Sequence, residues 1–320
     1  MPMPDAAPFL VADIGGTNAR FGLTGPGGLA HSRVLACADF PTLEDAARAY
    51  LADAAPAVPP RQAAFAIAGP VTGDLIQMTN HAWTFTISAT RAALELDRLE
   101  VINDFTAVAL SLPHLGDADR RAVGGGTPRP RAVIAAIGPG SGLGMSGLVP
   151  APDGGWIPLA GEGGHATMPA ADSREAGVLA ILARRFDHIS AERVISGQGL
   201  QNLAAALTAL AGLPPSPRTP AEITQAARDG SDAVCVEAVE MFCAMLGTAA
   251  GNLALTLGAR GGVYIAGGIV PKLGELFHRS RFRERFIGKG RMSVYLDPIP
   301  TYVITHSLPA FLGLRALLES

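Results

Sequence analysis

Asp13, Gly15, Gly16 and Thr17, inside DIGGTNAR (13–20), form the group best suited to chemistry in this 320-residue chain. Residues 9–12 read as a buried strand and 21–23 as the start of a second, so the two glycines and the threonine make the turn between them. Backbone N–H groups on such a turn stay open to a phosphate because no Cβ stands in the way. A carboxylate at the strand's end suits a hydrated Mg²⁺. Together these residues suggest a nucleotide phosphate clamp. A plain hairpin with a polar turn fits the same eight residues, and the choice rests on the rest of the chain.

GPGSGLG (138–144) is a second candidate cradle, with Ser141 offering a hydroxyl. It lacks the GxxxxGK[ST] pattern of a Walker loop. A formal GxGxxG exists at Gly142, Gly144 and Gly147, but Pro150 and Pro152 follow, so no helix opens there to receive a pyrophosphate. A strand–turn–strand clamp and a flexible connecting loop both remain open. Asn103 and Asp104 stand where a strand gives way to a helix, at the kind of strand end that borders ligand crevices in α/β sheets. Asp104 suits a general base for a hydroxyl proton, or it caps the helix that follows. Glu162 and His165, three apart among glycines in GEGGH, are open to hydrogen-bond a ligand; without a third ligand nearby they make a poor metal site. Glu192, in SAERVISG (190–197), is a further carboxylate among apolar neighbours; taken alone it reads as a surface charge paired with Arg193.

The elements that position these residues follow a repeated order. Residues 9–36 read as two or three antiparallel strands. Thr42 reads as the N-cap of a helix reaching about residue 51. Strands are expected at 63–68 and 100–103, with a helix from Phe105 to about Pro113. The first 110 residues thus run βββαβαβα, a mixed sheet with helices. Residues 121–131, rich in Gly, Pro and Arg, read as a crossing between domains. Strands follow at 132–137, 145–149 and 156–159, then mainly helices over 173–257. Strands at 262–266 and 302–305 and a helix at 308–318 close the chain. Strand–glycine turn–strand occurs twice, which suggests two related α/β lobes around a cleft.

Composition narrows the function classes. Hydrophobic residues make up 48% and mean hydropathy is +0.28, as in a well-buried globular enzyme. Net charge is −3 with scattered basic residues, so no nucleic-acid footprint is present. Lys272 and Lys289 are the only lysines, which argues against any mechanism needing a phosphate-loop lysine near a glycine run. Cys37, Cys235 and Cys243 form no CxxC and no zinc spacing, pointing to a reducing compartment. The N-terminus has no basic region followed by a long apolar one, unlike a signal peptide. Residues 241–259 are uncharged and contain Gly247 and Gly251 at the GxxxG spacing of membrane helices. Thr248, Asn252 and Thr256 within the stretch, and Glu237 and Glu240 ahead of it, favour a core helix and no membrane.

Taken together, these segments resemble the bacterial glucokinases of the hexokinase family, within the actin-like ATPase superfamily. The resemblance runs over nearly the whole chain, through DIGGTNAR, MTNHAWTF (78–85), VINDFTAV (101–108), GPGSGLG, LAGEGGH (159–165), SAERVISG and GGVYIAGGIVPK (261–272). It implies a two-lobed actin-like (ribonuclease H-like) α/β fold with the active site in the cleft between the lobes. The small domain would span 1–112, completed by 301–320, and the large domain 113–300. The implied reaction is transfer of a phosphoryl group from ATP to the 6-hydroxyl of D-glucose. Asp104 would be the base, and Asn103, Asp104, Glu162, His165 and Glu192 would hold the sugar. Gly15, Gly16 and Thr17 would receive the γ-phosphate, Gly140 and Ser141 would lie near the β-phosphate, and Gly267 and Gly268 beside the adenosine. Asn18, Gly138 and Gly142 complete the nucleotide side, and Asp13 would hold Mg²⁺ through water. A cytoplasmic location and a homodimer are also implied.

The chain departs from kinase–repressor relatives, which carry a cysteine-rich zinc motif after their Glu-x-Gly-His segment. It has no cysteine between Cys37 and Cys235, and so resembles the zinc-free branch. It also has Pro139, and Ser141 where many members have threonine. Two other classes share most of these features: a kinase for mannose, fructose or an N-acetylhexosamine, and a non-catalytic sugar-responsive regulator or chaperone-like ATPase.

Overall fold

The apolar run FLVADI forms β1 (Phe9–Ile14), buried along most of its length at the centre of a five-stranded sheet. The computed structural model describes residues 7–25, 27–78 and 83–320, and within it the chain divides into two units. The first takes the chain up to Leu115 and again from His306 to the end. There β2 (Asn18–Gly25) and β3 (Gly28–Ala36) extend the sheet antiparallel on one side of β1. On the other side β4 (Gln62–Ile67) and β7 (Arg98–Asn103) run parallel to it, giving the order β3-β2-β1-β4-β7. Between them lie α1 (Leu43–Ala54), a hairpin of β5 (Leu75–Gln77) and β6 (Thr84–Thr86), and α2 (Ile87–Ala93). Thr42 caps α1, accepting the Asp45 N–H at 3.1 Å. β7 passes directly into α3 (Asp104–Ser111). Residues 79–82, the middle of the segment MTNHAWTF, lie outside the described residues.

The second unit, Gly116–Thr305, holds a six-stranded sheet. Its strands are β8 (Arg120–Ala122), β9 (Ile134–Pro139), β10 (Leu143–Pro150), β11 (Trp156–Leu159), β12 (Gly262–Ile265) and β13 (Thr301–Ile304), in the order β11-β10-β9-β12-β13-β8. The helices are α4 (Ser173–Leu182), α5 (Gly197–Leu210), α6 (Pro220–Asp229), α7 (Ala233–Leu257), α8 (Ile269–Leu273), α9 (Glu275–Arg279), α10 (Phe282–Ile287) and α11 (Ser293–Leu296). α7 is long and apolar enough to cross a membrane by length and composition, yet most of that stretch is buried among α5, α6 and α10. Gly247 and Gly251 explain its GxxxG. A Cβ on either would run into the Phe282 or Phe286 carbonyl, so the glycines let α10 approach backbone to backbone. A buried pair ties the same helices to α4: Arg285 donates to Glu175 at 2.7 and 3.1 Å and to Thr248 Oγ1 at 2.9 Å. Such a pair is costly to break singly, at about 3–5 kcal/mol.

Back in the first unit, α12 (Pro309–Glu319) packs on α3. Gly313 makes this possible, because any Cβ there would collide with the Ala107 carbonyl. The Arg98 guanidinium donates to the Leu317 and Leu318 carbonyls at 3.2 and 3.5 Å, fastening the end of α12 to the strand that leads into α3.

Several sequence-based boundaries shift. β2 starts at Asn18, ahead of Phe21, because the ladder already pairs Asp13 with Arg20 and Ile14 with Ala19. Part of the expected 121–131 crossing is strand, since Arg120–Ala122 adds to the free edge of β13. The two compact units divide at 115/116 and 305/306. Thr301–Val303 pairs with Val263–Ile265 of β12, inside the sheet of the second unit.

Candidate functional site

In the first unit, three parallel strands end level with one another. Ile14 of β1 lies beside Ile67 of β4, which lies beside Asn103 of β7. The turn Gly15–Gly16–Thr17 and residue Asp104 therefore leave the same carboxyl edge of the sheet, two strand spacings or roughly 10 Å apart. The turn is held by the Gly15 N–H to Asn18 O bond at 2.9 Å and by the Cys37 N–H to Thr17 O bond at 2.9 Å; the Cys37 thiol also faces Gly15 O at 3.7 Å. Gly15 does not have a positive φ, and a Cβ there would come no closer than 3.5 Å to any atom. The fold itself does not demand glycine at this position.

Asn103, not Asp104, caps α3. Its Oδ1 accepts the N–H groups of Phe105 and Thr106 at 2.8 and 3.1 Å, and its Nδ2 donates to Gly69 O at 3.2 Å. Asp104 is the first helical residue, and one carboxylate oxygen also accepts the Phe105 N–H at 2.8 Å. It is half-buried, at a helix N-terminus that suits a carboxylate. Asp13, at the end of β1, is also half-buried. Burial pushes its carboxyl up from the usual range, and Arg20 opposes the shift in part. Among the described residues no donor reaches it within hydrogen-bond distance, and none forms a cluster of three metal-binding side chains. One under-satisfied carboxylate beside a phosphate-sized turn fits Mg²⁺ held through water, since that ion keeps several waters and takes its remaining oxygens from phosphates.

In the second unit, three segments far apart in sequence meet at the β9–β10 turn. Gly140 N–H donates to Gly142 O at 2.8 Å, and Gly197 N–H donates to Gly140 O at 2.9 Å. Gly138 is buried in β9, while Ser141 stands exposed at the tip. Glu192 is bonded to the turn itself, not paired with Arg193: its Oε2 accepts the Leu143 N–H at 2.9 Å. Arg193 instead lies over the Phe186 ring, 4.3 Å from its centre. Glu162 and His165 flank a single helical turn, Gly163–His165, and both are exposed. This turn is strapped to the Glu192 segment by Ala191 N–H to Ala166 O at 2.8 Å and Met168 N–H to Ile189 O at 3.0 Å. Gly164 lets it lie directly on the Leu143 carbonyl. Glu162, His165, Glu192 and Ser141 thus belong to one neighbourhood of the second unit.

Gly267 and Gly268 follow β12 and are exposed. Gly267 has φ +83° and touches the Pro139 carbonyl, so the chain itself requires glycine there. Beside the same turn opens a cavity of about 630 Å³, of the size that takes small ligands. Gly140, Leu200, Thr224, Arg228, Ile269 and Lys272 line it. Sequence reading missed α6 as a wall of this cavity. It also took the absence of a lysine near a glycine run as final, whereas folding places Lys272 and Gly140 on one cavity.

The family model for glucokinase matches residues 10–320. Glucokinase of Paramagnetospirillum magneticum is 55% identical over 309 residues, 96% of each chain. The bifunctional protein glk of Burkholderia pseudomallei is also 55% identical, over 97% of this chain, which spans only 48% of that longer protein. Among solved structures, a glucokinase from an Antarctic psychrotroph superposes with a TM-score of 0.89 at 36% identity, covering 98% of this chain and 99% of its own. Sequence and fold thus agree over nearly the full length, and the chain belongs to the glucokinase family.

Proposed function

We propose that the chain transfers the γ-phosphoryl group of ATP to the 6-hydroxyl of D-glucose, giving glucose 6-phosphate and ADP. The observation that carries this is the shared strand edge of the first unit, which sets the Gly15–Thr17 turn and Asp104 roughly 10 Å apart. Phosphoryl transfer leaves a protein mainly positioning and charge stabilisation to supply. Asp104 accepts the 6-hydroxyl proton as that oxygen bonds to the γ-phosphorus, and the bond from phosphorus to the ADP oxygen breaks. Asn103 holds α3, and with it Asp104, in place and keeps one N–H for the sugar. Glu162, His165 and Glu192 take ring hydroxyls. Gly15, Gly16, Thr17 and Asn18 serve the γ-phosphate, and Gly138, Gly140, Ser141 and Gly142 the β-phosphate. Gly267, Gly268 and the adjoining cavity serve the adenosine. Asp13 would hold Mg²⁺ through water; when bound, the ion neutralises phosphate charge. The zinc-free branch, a homodimer and a cytoplasmic location belong to the same reading; three buried free cysteines support the first and the last of these.

ADP release from MgATP, measured with glucose, mannose, fructose, N-acetylglucosamine or no sugar, tests the reaction. Stimulation by glucose alone is expected. Stimulation by another hexose moves the specificity, and sugar-independent hydrolysis or none overturns the reading. Asp104→Ala should lower turnover by about 10²–10⁴-fold with glucose binding retained. Near-normal turnover would remove Asp104 as the base.

A further inference from the structure

The cavity beside Gly140 carries two cationic side chains, Arg228 and Lys272, and no carboxylate among the described residues lines it. The two cations are differently employed. Arg228 reaches back to the main chain, donating to Lys272 O at 2.7 Å and to Gln225 Oε1 at 3.2 Å. Gln225 is in turn anchored on Asp229 at 2.8 and 2.9 Å. That chain of contacts fixes where α8 presents residue 272. The Lys272 side chain is exposed, and no acceptor among the described residues reaches its ammonium. The contrast with the other lysine is direct. Lys289 donates to Thr248 O at 3.0 Å and Asn252 Oδ1 at 2.7 Å, and burial lowers its pKa. One lysine is built into the helix packing; the other is held out at the mouth of an acid-free cavity.

We propose that Lys272 binds the diphosphate portion of the nucleotide, with Arg228 as the positioning residue that sets its backbone. The inference rests on the reading of this cavity as the donor's site. A lysine suits the role as a compact, mobile point charge for phosphate. It supplies from α8 the charge that a phosphate-binding loop supplies from within its own sequence.

The test is calorimetric binding of MgADP and of adenosine to the wild type, Lys272→Met and Lys272→Arg, with steady-state kinetics on each. Lys272→Met should weaken MgADP by about tenfold, the size of a lost charge-assisted contact. Adenosine should bind within about twofold of the wild type, because it carries no phosphate. The kinetic loss should fall on KM for ATP, with KM for glucose unmoved, and Lys272→Arg should restore most of the affinity. Unchanged MgADP affinity overturns the proposal. So does equal weakening of MgADP and adenosine, which would mean that the side chain merely shapes the wall. A wild type that binds neither probe and phosphorylates no glucose would instead defeat the underlying reading, before any variant is compared.

Discussion

The two strand–glycine turn–strand hairpins are built alike and braced differently. The first joins β1 to β2 across Gly15–Thr17, and its braces are main-chain bonds plus the weak thiol of Cys37. It leaves Asp13 half-buried, with no donor among the described residues in reach. The second joins β9 to β10 across Gly140–Gly142 and is bolted on both sides, through Gly197 N–H to Gly140 O and Leu143 N–H to Glu192. A short glycine turn is thus a local solution, while what surrounds it decides its task. The first holds a half-buried carboxylate that no hydrogen-bond donor among the described residues satisfies. The second uses a charge to fix its own shape, so Glu192 links the β9–β10 turn to the 190–197 segment in one piece.

The largest effect separating them is expected at Asp13. Asp13→Asn keeps the size and removes the charge; if the carboxylate orients the waters of Mg²⁺, activity should fall by roughly 10–100-fold. Stability should move the other way. Burial raises the folded pKa of Asp13 above 3.8, so its contribution to stability is complete below that value and is lost as pH rises through the raised pKa. The variant should therefore melt higher than the wild type at pH 7, and the gap should close as pH falls toward 3.8. Melting curves at both ends of this range, with turnover at neutral pH, check it. A variant that is less stable at pH 7 would show that the charge is satisfied in the fold.

Two glycines of the second turn sharpen the contrast between bracing and ligand approach. A Cβ at Gly142 would strike the Glu192 carboxylate, so Gly142→Ala must break the bond to Leu143. A cost of about 1–3 kcal/mol is expected, with higher KM for glucose and ATP together. A Cβ at Gly140 would meet nothing within 4 Å, and its φ is not positive. Gly140→Ala should leave stability within about 0.5 kcal/mol and raise KM for ATP alone. Denaturant midpoints and two-substrate kinetics on the pair decide this. If Gly140→Ala is as destabilising as Gly142→Ala, the turn needs both glycines for folding.

Local pattern carried most of the fold. The strands around each glycine turn, the Thr42 cap and the buried course of α7 follow from alternation, capping residues and polar interruptions within short windows. What escaped reading is long-range. Nothing near Glu192 announces a bond to Leu143, and Lys272 joins Gly140 only once β9 and β12 pair side by side. The return of the chain at His306 was hidden for the same reason, since β13 declares its sheet only through its partner. Asn103 is an exception: the sequence shows a capping residue at the start of this helix, and the structure sets the cap on Asn103, one residue ahead of Asp104. Asn and Asp rank equally as caps, and only the start of the helix separates them.

The smallest effect is expected where the first hairpin is braced most weakly. Cys37 is fully buried, and burial pushes its thiol up, so it should label slowly with thiol reagents in the folded protein. Its S–H is a weak donor, at 3.7 Å from Gly15 O, whereas its backbone N–H holds Thr17 at 2.9 Å whatever the side chain. Cys37→Ala should therefore cost about 1 kcal/mol or less, mainly from lost packing, and leave KM for ATP within about twofold. Cys37→Ser, which supplies a stronger donor at the cost of burying a hydroxyl, should leave KM equally unmoved. A marked rise in KM for ATP in the alanine variant alone would mean that the thiol holds the Gly15 carbonyl out of the phosphate's path. The first turn would then be braced by a side chain just as the second is braced by Glu192.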